Sequence, residues 1–364
     1  PDAVGAIRVR QPGKWLPLLS RAGAFALAVA VFMGFAAALL LPFLSLLPLS
    51  SRAAFTAQDA AWYALPVPLL ATILVPTDFQ FPEWTMYVGI VPAAMALLGL
   101  VGPHRRKTVF FAGVAIFAAL YSVGPATPVF SLVRLLPGFS QLRVPPRIWF
   151  FGAFGVACLA ALGTDAVGSL DLRDWLARHR RGVRLTLMSL LTAGVVAVGV
   201  LTVLRQSPLR LVFALAIAAG ATWLVAGSVA DRLGRRTVIA GLVGLTILDL
   251  APAARLFTMR VPPESVAPSS PALDWLAAQP GLFRVYSPHG ELPYAQASGL
   301  DVQSAEGLLA FQMGHAVDLI KLATGCSLSG YATGIPPCLT AEIDPKAYLS
   351  ARPDARLLGL LNVK

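Results

Sequence analysis

The sequence predicts an all-α polytopic membrane protein of about seven transmembrane helices, with a small mixed α/β extracytoplasmic domain at its C-terminal end. Three observations predict it. The 364 residues are 57% hydrophobic and only 13% charged, with a mean hydropathy of +0.71, whereas soluble domains carry about 25% charged residues. The apolar residues gather into runs long enough to cross a hydrocarbon core of about 30 Å. The net charge of +11 is also uneven. Residues 1–252 hold 21 basic against 9 acidic residues and residues 253–364 hold 8 against 9, so the basic excess belongs to the membrane part. Membrane orientation explains that division, and nucleic-acid binding is the weaker reading, because no soluble basic domain exists to do it; no nucleic-acid partner is expected.

The expected spans are Ala24–Leu44, Met86–Val101, Thr108–Val123, Ile148–Gly163, Leu185–Leu204, Leu209–Ala230 and Thr237–Pro252. Several are shorter than the ~20 residues of a comfortable crossing, so their ends extend into the flanking loops. One set of alternate loops holds Arg8, Arg10, Lys14 and Arg21, then Arg105, Arg106 and Lys107, the Arg173–Arg184 segment, and Arg232–Arg236: 15 basic residues. The other set holds Arg52, then Arg134, Arg143 and Arg147, then Arg205 and Arg210: 6. By the positive-inside rule the first set faces the cytoplasm. The N-terminal end then starts inside and the 253–364 domain ends outside. Trp15, Trp84, Tyr87 and Trp149 sit near span starts, as interfacial aromatics do.

One further apolar run, Ala60–Pro76, is excluded as an eighth span. If it crossed, 11 later basic residues would face out and 5 in, against the rule. Pro66, Pro68 and Pro76 also oppose a continuous helix. The expectation is an interfacial or re-entrant segment, buried against protein where it enters the hydrocarbon.

The tail, 253–364, has Pro-rich connections, a β-like run Leu282–Ser287 and an expected helix over Ala305–Ala323. Its Cys326 and Cys338 are a candidate disulfide in an oxidising compartment, closing a loop that contributes about 3 kcal/mol in the chain-entropy model. Cys158 reads as a small buried residue of the fourth span. His315 has no metal-ligand spacing to the cysteines, and His104, His179 and His289 are scattered, so neither a metal site nor a resident cofactor is expected. Nucleotide-binding glycine loops, zinc helices and serine elbows are absent from the sequence. The chain opens on Pro1-Asp2 without an initiator Met and stops in the apolar Leu360-Leu-Asn-Val-Lys364; the expectation is an internal fragment, its last domain truncated.

Acids inside membrane spans are rare and merit separate attention. Asp165 falls at the cytoplasmic end of the fourth span, where it reaches water. Asp249, in Ile247-Leu-Asp249-Leu-Ala-Pro252, falls near the outer end of the seventh, on the side expected for Arg134, Arg143 and Arg147. Pairing with one of these would offset the cost of burying either charge. The arginines themselves lie in Arg134-Leu-Leu-Pro-Gly-Phe-Ser-Gln-Leu-Arg143-Val-Pro-Pro-Arg147. Phe130–Leu136 is too short to cross, Pro137-Gly138 turns the chain, and Pro145-Pro146 favours an extended approach to Arg147. Guanidinium groups held near the headgroups suit phosphate: planar, always charged and able to form two parallel bonds. They contact either ordinary lipid headgroups or the phosphate of a bound lipid substrate.

The chain resembles the YfhO-type bacterial membrane proteins, which are similar to GT-C glycosyltransferases. The landmarks run through nearly the whole chain, in order: Leu41-Pro42 and Ser50-Ser51-Arg52, Tyr87-Val-Gly89 opening a span, Gly124-Pro-Ala-Thr-Pro128, Leu136-Pro-Gly-Phe139 with Leu142-Arg143-Val-Pro-Pro-Arg147, Leu248-Asp249-Leu250, and Leu360-Leu-Asn362-Val-Lys364. The resemblance implies a multi-pass enzyme of the bacterial cytoplasmic membrane. It would move a sugar from a polyprenyl-phosphate-linked donor to a cell-envelope glycan, such as a teichoic acid, on the outer face. The family's catalytic acid usually stands in the first outer loop; that loop is expected to precede Pro1, and the role is not carried to Asp59, Asp78 or Glu83. Trp275, Tyr286 and Tyr294 could present a sugar-binding face in the outer domain or could be core.

Two other classes compete. A lipid or polysaccharide transporter or flippase would use the arginines to hold a headgroup, but it should show polar residues at mid-membrane, and charged residues are absent from the centres of these spans. A noncatalytic scaffold for envelope assembly would not depend on the arginines.

Overall fold

The computed structural model describes residues 16–74, 81–101, 104–167, 208–230, 232–257, 271–287, 292, 301–309, 311–325, 331, 333–335 and 352–364. The fifth expected span, Leu185–Leu204, and the pair Cys326 and Cys338 lie outside them. The chain is mostly helical and divides into two compact units, one of residues 1–55 with 267–364 and one of residues 56–266. Among the described residues three helical stretches are long and apolar enough to cross a membrane: Ala22–Leu49, Pro145–Val167 and Arg235–Arg255.

The first belongs to α1 (Leu16–Leu46). It carries no charged residue after Arg21 and is apolar all round, as a helix solvated by lipid is. None of its most apolar window is buried. Pro42 stands inside it and removes one ladder donor; the Ser45 hydroxyl donates to the Pro42 carbonyl at 2.8 Å.

The 56–266 unit begins with α2 (Ala57–Ala61). A capping box starts it: the Thr56 N–H donates to the Asp59 carboxylate at 2.8 Å and the Asp59 N–H to the Thr56 hydroxyl at 3.2 Å. Asp59 is thus a structural cap. The apolar run that follows is broken. Tyr63 takes a left-handed conformation at φ 62°, and Val67–Ile73 is a 3-10 turn entered through Pro66 and Pro68. Leu65 and Leu69 bury against Met86, Ala118, Val123 and Trp149, so the run up to Leu74 is packed against protein and is not a continuous helix.

Next come α3 (Ile90–Val101), α4 (Arg105–Ser122), the short α5 (Pro128–Arg134), α6 (Trp149–Val167), α7 (Pro208–Val229) and α8 (Arg235–Phe257). Where α3 and α6 cross, small residues meet, and many large apolar side chains of the bundle face outward. A Cβ on Gly99 of α3 would lie 2.2 Å from the Leu159 carbonyl, and one on Gly163 of α6 only 1.8 Å from that of Met95. The two backbones therefore touch, as small-residue crossings of membrane helices do. Phe150, Phe151 and Phe154 of α6, Phe110 and Ile116 of α4, and Trp223 of α7 face outward. A water-solvated bundle would reverse that arrangement.

Helix ends in this unit group on two sides. Asp165 at the end of α6 pairs with Arg235 at the start of α8 at 3.3 Å, and the Ser228 hydroxyl of α7 donates to the Val167 carbonyl at 3.3 Å. The opposite ends meet where the Trp149 indole N–H donates to the Met86 carbonyl at 2.9 Å and the Leu65 N–H to that of Ser122 at 2.9 Å.

In the other unit, the chain after 267 forms α9 (Pro271–Ala277), β1 (Arg284–Val285), β2 (Gln303–Ser304), β3 (Gly307–Leu308), α10 (Gly314–Thr324), β4 (Gly334–Ile335) and α11 (Ala355–Leu360). β1 pairs parallel with β2, and β3 antiparallel with β4. The final residues lie beside β1: Arg284 donates its N–H to Asn362 at 2.8 Å, and Lys364 donates to Arg284 at 3.1 Å. Leu273, Val285 and Val302 form a small core. The helix expected over Ala305–Ala323 begins only at Gly314, because residues 307–309 pair with 333–335 instead; the Leu309 N–H donates to the Thr333 carbonyl at 2.9 Å.

Candidate functional site: an arginine-bearing loop and two carboxylates

The arginine loop joins the C-terminal end of α4 to the N-terminal end of α6. Gly124, at φ +60°, starts it, and a Cβ there would lie 2.7 Å from that of Ala64, so only glycine fits. α5 then carries Arg134 at its last position. The Arg134 guanidinium donates to the Ser140 carbonyl at 2.9 Å and lies 5.7 Å from the Phe130 ring centroid. The side chain thus folds back over its own loop and braces the turn at Pro137-Gly138.

The approach to Arg147 differs from the extended path that two prolines favour. Val144 is left-handed at φ 59° and ψ 73°, and Pro145–Ile148 is a 3-10 turn. A β-branched residue at positive φ is strained. Burial offsets the strain: Val144, Pro145 and Pro146 are all buried where this turn packs on α4 and α6. Arg143, half-buried, and Arg147 therefore flank a rigid, strained knot.

Arg147 meets a partner the sequence did not single out. Its guanidinium donates to the Glu83 carboxylate at 3.0 Å, with side chains 65% and 28% exposed. Glu83 stands in the turn Pro82–Trp84, fixed on both flanks. The Trp84 indole donates to the Tyr63 carbonyl at 3.0 Å, and Phe81 stacks on the Tyr63 ring at 4.3 Å. The available sequence signal was composition: Asp59, Asp78 and Glu83 are the acids between the first two expected spans. Asp59 is used as a cap, and Asp78 is outside the described residues.

Among the described contacts Asp249 is held by the start of α3, while Arg134 and Arg147 meet other groups. Asp249 is buried, 1% exposed, and accepts from the Tyr87 hydroxyl, from the Ile90 N–H at 2.6 Å and from the Val91 N–H at 3.3 Å. The physical reason is the start of α3, whose first N–H groups have no intrahelical acceptor. Pro92, the third residue, has no N–H. A carboxylate there meets the positive end of the helix dipole as well as two donors. Gly89, at φ +92°, makes room: a Cβ on it would lie 3.1 Å from the Asp249 carboxylate. Two of the landmark segments, Tyr87-Val-Gly89 and Leu248-Asp249-Leu250, thus form one contact that pins α8 to α3. Neither their spacing nor their composition could have paired them.

Among the described residues no group of three His, Cys, Asp or Glu side chains is placed to hold a metal ion. Cys158 is a free thiol in α6. Trp275 is exposed on α9, Tyr286 is half-buried beside β1, and His289 and Tyr294 are outside the described residues. Comparisons with family models, with curated proteins and with solved structures find no significant match to this chain.

Proposed function

We propose that the protein is a glycosyltransferase-like membrane protein that moves a sugar from a polyprenyl-phosphate donor to a cell-envelope glycan on the outer membrane face. The observation that carries this reading is the Arg147–Glu83 pair on its strained support. Arg147 is exposed, on a rigid turn, at the end of a membrane-crossing helix, and its counter-ion is a carboxylate that a phosphate can replace. When the sugar leaves, the carrier retains a phosphate whose negative charge grows in the transition state, and fixed guanidinium groups stabilise such charge without reorganising. Arg143, across the Val144 knot, offers a second cation. The acceptor hydroxyl also needs a base, and the family's usual catalytic acid is not assigned to any residue of this chain.

Arg143→Ala and Arg147→Ala test the reading in cells, with envelope sugars measured by mass spectrometry. Because the Arg147 side of the pair is largely exposed, its loss costs stability only about 0–1 kcal/mol, so expression should hold. Losing one such anion-stabilising donor should lower transfer about 100-fold. If both variants leave the sugars unchanged at normal expression, the donor-phosphate role is wrong and a scaffold or transporter is favoured.

A further inference from the structure

Leu309, Phe311 and Met313 present an apolar edge where a water-facing edge should be polar. Burial separates its side chains into one that turns inward and two that stay exposed. The inward one is polar: Gln312 is buried, its amide donating to the Leu309 carbonyl at 3.0 Å and the Thr333 carbonyl at 2.8 Å. The outward ones are apolar: Leu309 is 57% exposed and Met313 44%. A solvated antiparallel edge would put apolar residues in and polar ones out. This edge is inverted.

Its place relative to α1 says what covers it. The Phe311 ring lies 5.2 Å from the Phe43 ring, Ser50 forms an antiparallel bridge with Met313, and the Ser51 N–H donates to the Gln312 carbonyl at 2.8 Å. The segment is therefore fixed to the C-terminal end of α1. Arg21 and Arg52 are the charged residues that bracket that helix. With about 20 residues crossing the hydrocarbon, centred between the two, the crossing segment runs to roughly residue 46. Phe43 then sits inside the hydrocarbon edge, and Phe311, packed on it, sits at the same depth. Leu309 and Met313, both exposed, flank Phe311 where it packs on α1.

We propose that this edge dips into the lipid leaflet at the C-terminal end of α1, so that Leu309, Phe311 and Met313 contact acyl chains and seat the 267–364 region on the bilayer surface. The partner is the lipid surface itself, and the inference does not depend on the proposed enzymatic function. The test places a photo-crosslinking amino acid singly at 309, 313, 43 and 356 in the full chain, reconstituted in phosphatidylethanolamine–phosphatidylglycerol vesicles. Arg356 is the control. It is exposed in α11, whose N-terminal end lies at the far end of α10, the Asp354 N–H donating to the Ala323 carbonyl at 2.7 Å. Mass spectrometry should find lipid adducts at 43, 309 and 313 and none at 356. Adducts to polypeptide at 309 and 313, or no adducts there while 43 reacts, would overturn the proposal, as would an equal lipid yield at 356.

Discussion

Asp249 shows how one buried charge is made tolerable in a membrane protein. Its oxygens take a phenol and two backbone donors, of which the Val91 N–H is buried and the other two half-buried. Asp249→Ala leaves all three unsatisfied, and an unpaired buried donor costs about 1–3 kcal/mol. We expect a loss of at least about 3 kcal/mol in detergent, measured by thermal unfolding of the helical signal, and only about 1 kcal/mol for Tyr87→Phe, which removes one hydrogen bond. A silent Asp249→Ala would mean that α3 finds another cap. Glu306, between β2 and β3, is the contrasting acid. One of its oxygens is buried without a hydrogen-bond partner, and burial pushes its carboxyl up to about 7, opposed by the Ser287 backbone. A raised carboxyl binds its proton more tightly folded than unfolded, so the stability it confers is present at pH below about 4.5 and is lost as pH rises toward about 7. Chemical denaturation across that window should show the decline in the wild type. Glu306→Gln should flatten it.

The crossing of α3 and α6 is the tightest feature at the scale of elements. A methyl at Gly163 has no room against the Met95 carbonyl, and backbone cannot rotate away as a side chain can. Gly163→Ala should force the helices apart and cost about 1–3 kcal/mol as an overpacked core does, read as a lower melting temperature. Gly113, whose Cβ would meet nothing within 4 Å, is the matched control, and Gly113→Ala should be neutral or stabilising because alanine favours the helix. The sequence marked these helices by their apolar runs but not their contact, since nothing local pairs the one glycine of α3 with a particular one of the three in α6. At the start of α10 the apolar pattern of 305–323 suited a helix, but nearly half of it lies ahead of Gly314, where residues 307–309 pair with 333–335 instead. Segment 60–74 went the other way: its prolines were visible, and they do break it.

For the whole molecule, the grouping of helix ends carries an expectation about sides. The Leu65, Met86, Ser122, Trp149 and Asp249 ends lie together, as do the Asp165, Ser228 and Arg235 ends. In sealed vesicles of known orientation, a membrane-impermeant maleimide should label cysteines introduced at Leu135 and Arg236 from opposite faces, with the native-cysteine chain as blank. Labelling of both from one face would contradict the loop-charge assignment.

The sequence by itself determined that this chain is mostly helical with apolar runs long enough to cross a membrane, because a helix that spans lipid needs about 20 apolar residues and such runs stand out in composition. It also located the arginine loop and the unusual acid in the eighth helix, since charge in an apolar context stands out without coordinates. Only the tertiary structure decided the partners: Glu83 for Arg147, the start of α3 for Asp249, and α1 for the Leu309–Met313 edge. Each of those contacts joins residues tens to hundreds of positions apart, and each is selected by packing geometry, by which buried donor lacks an acceptor and by which backbones can approach, none of which is encoded in local pattern.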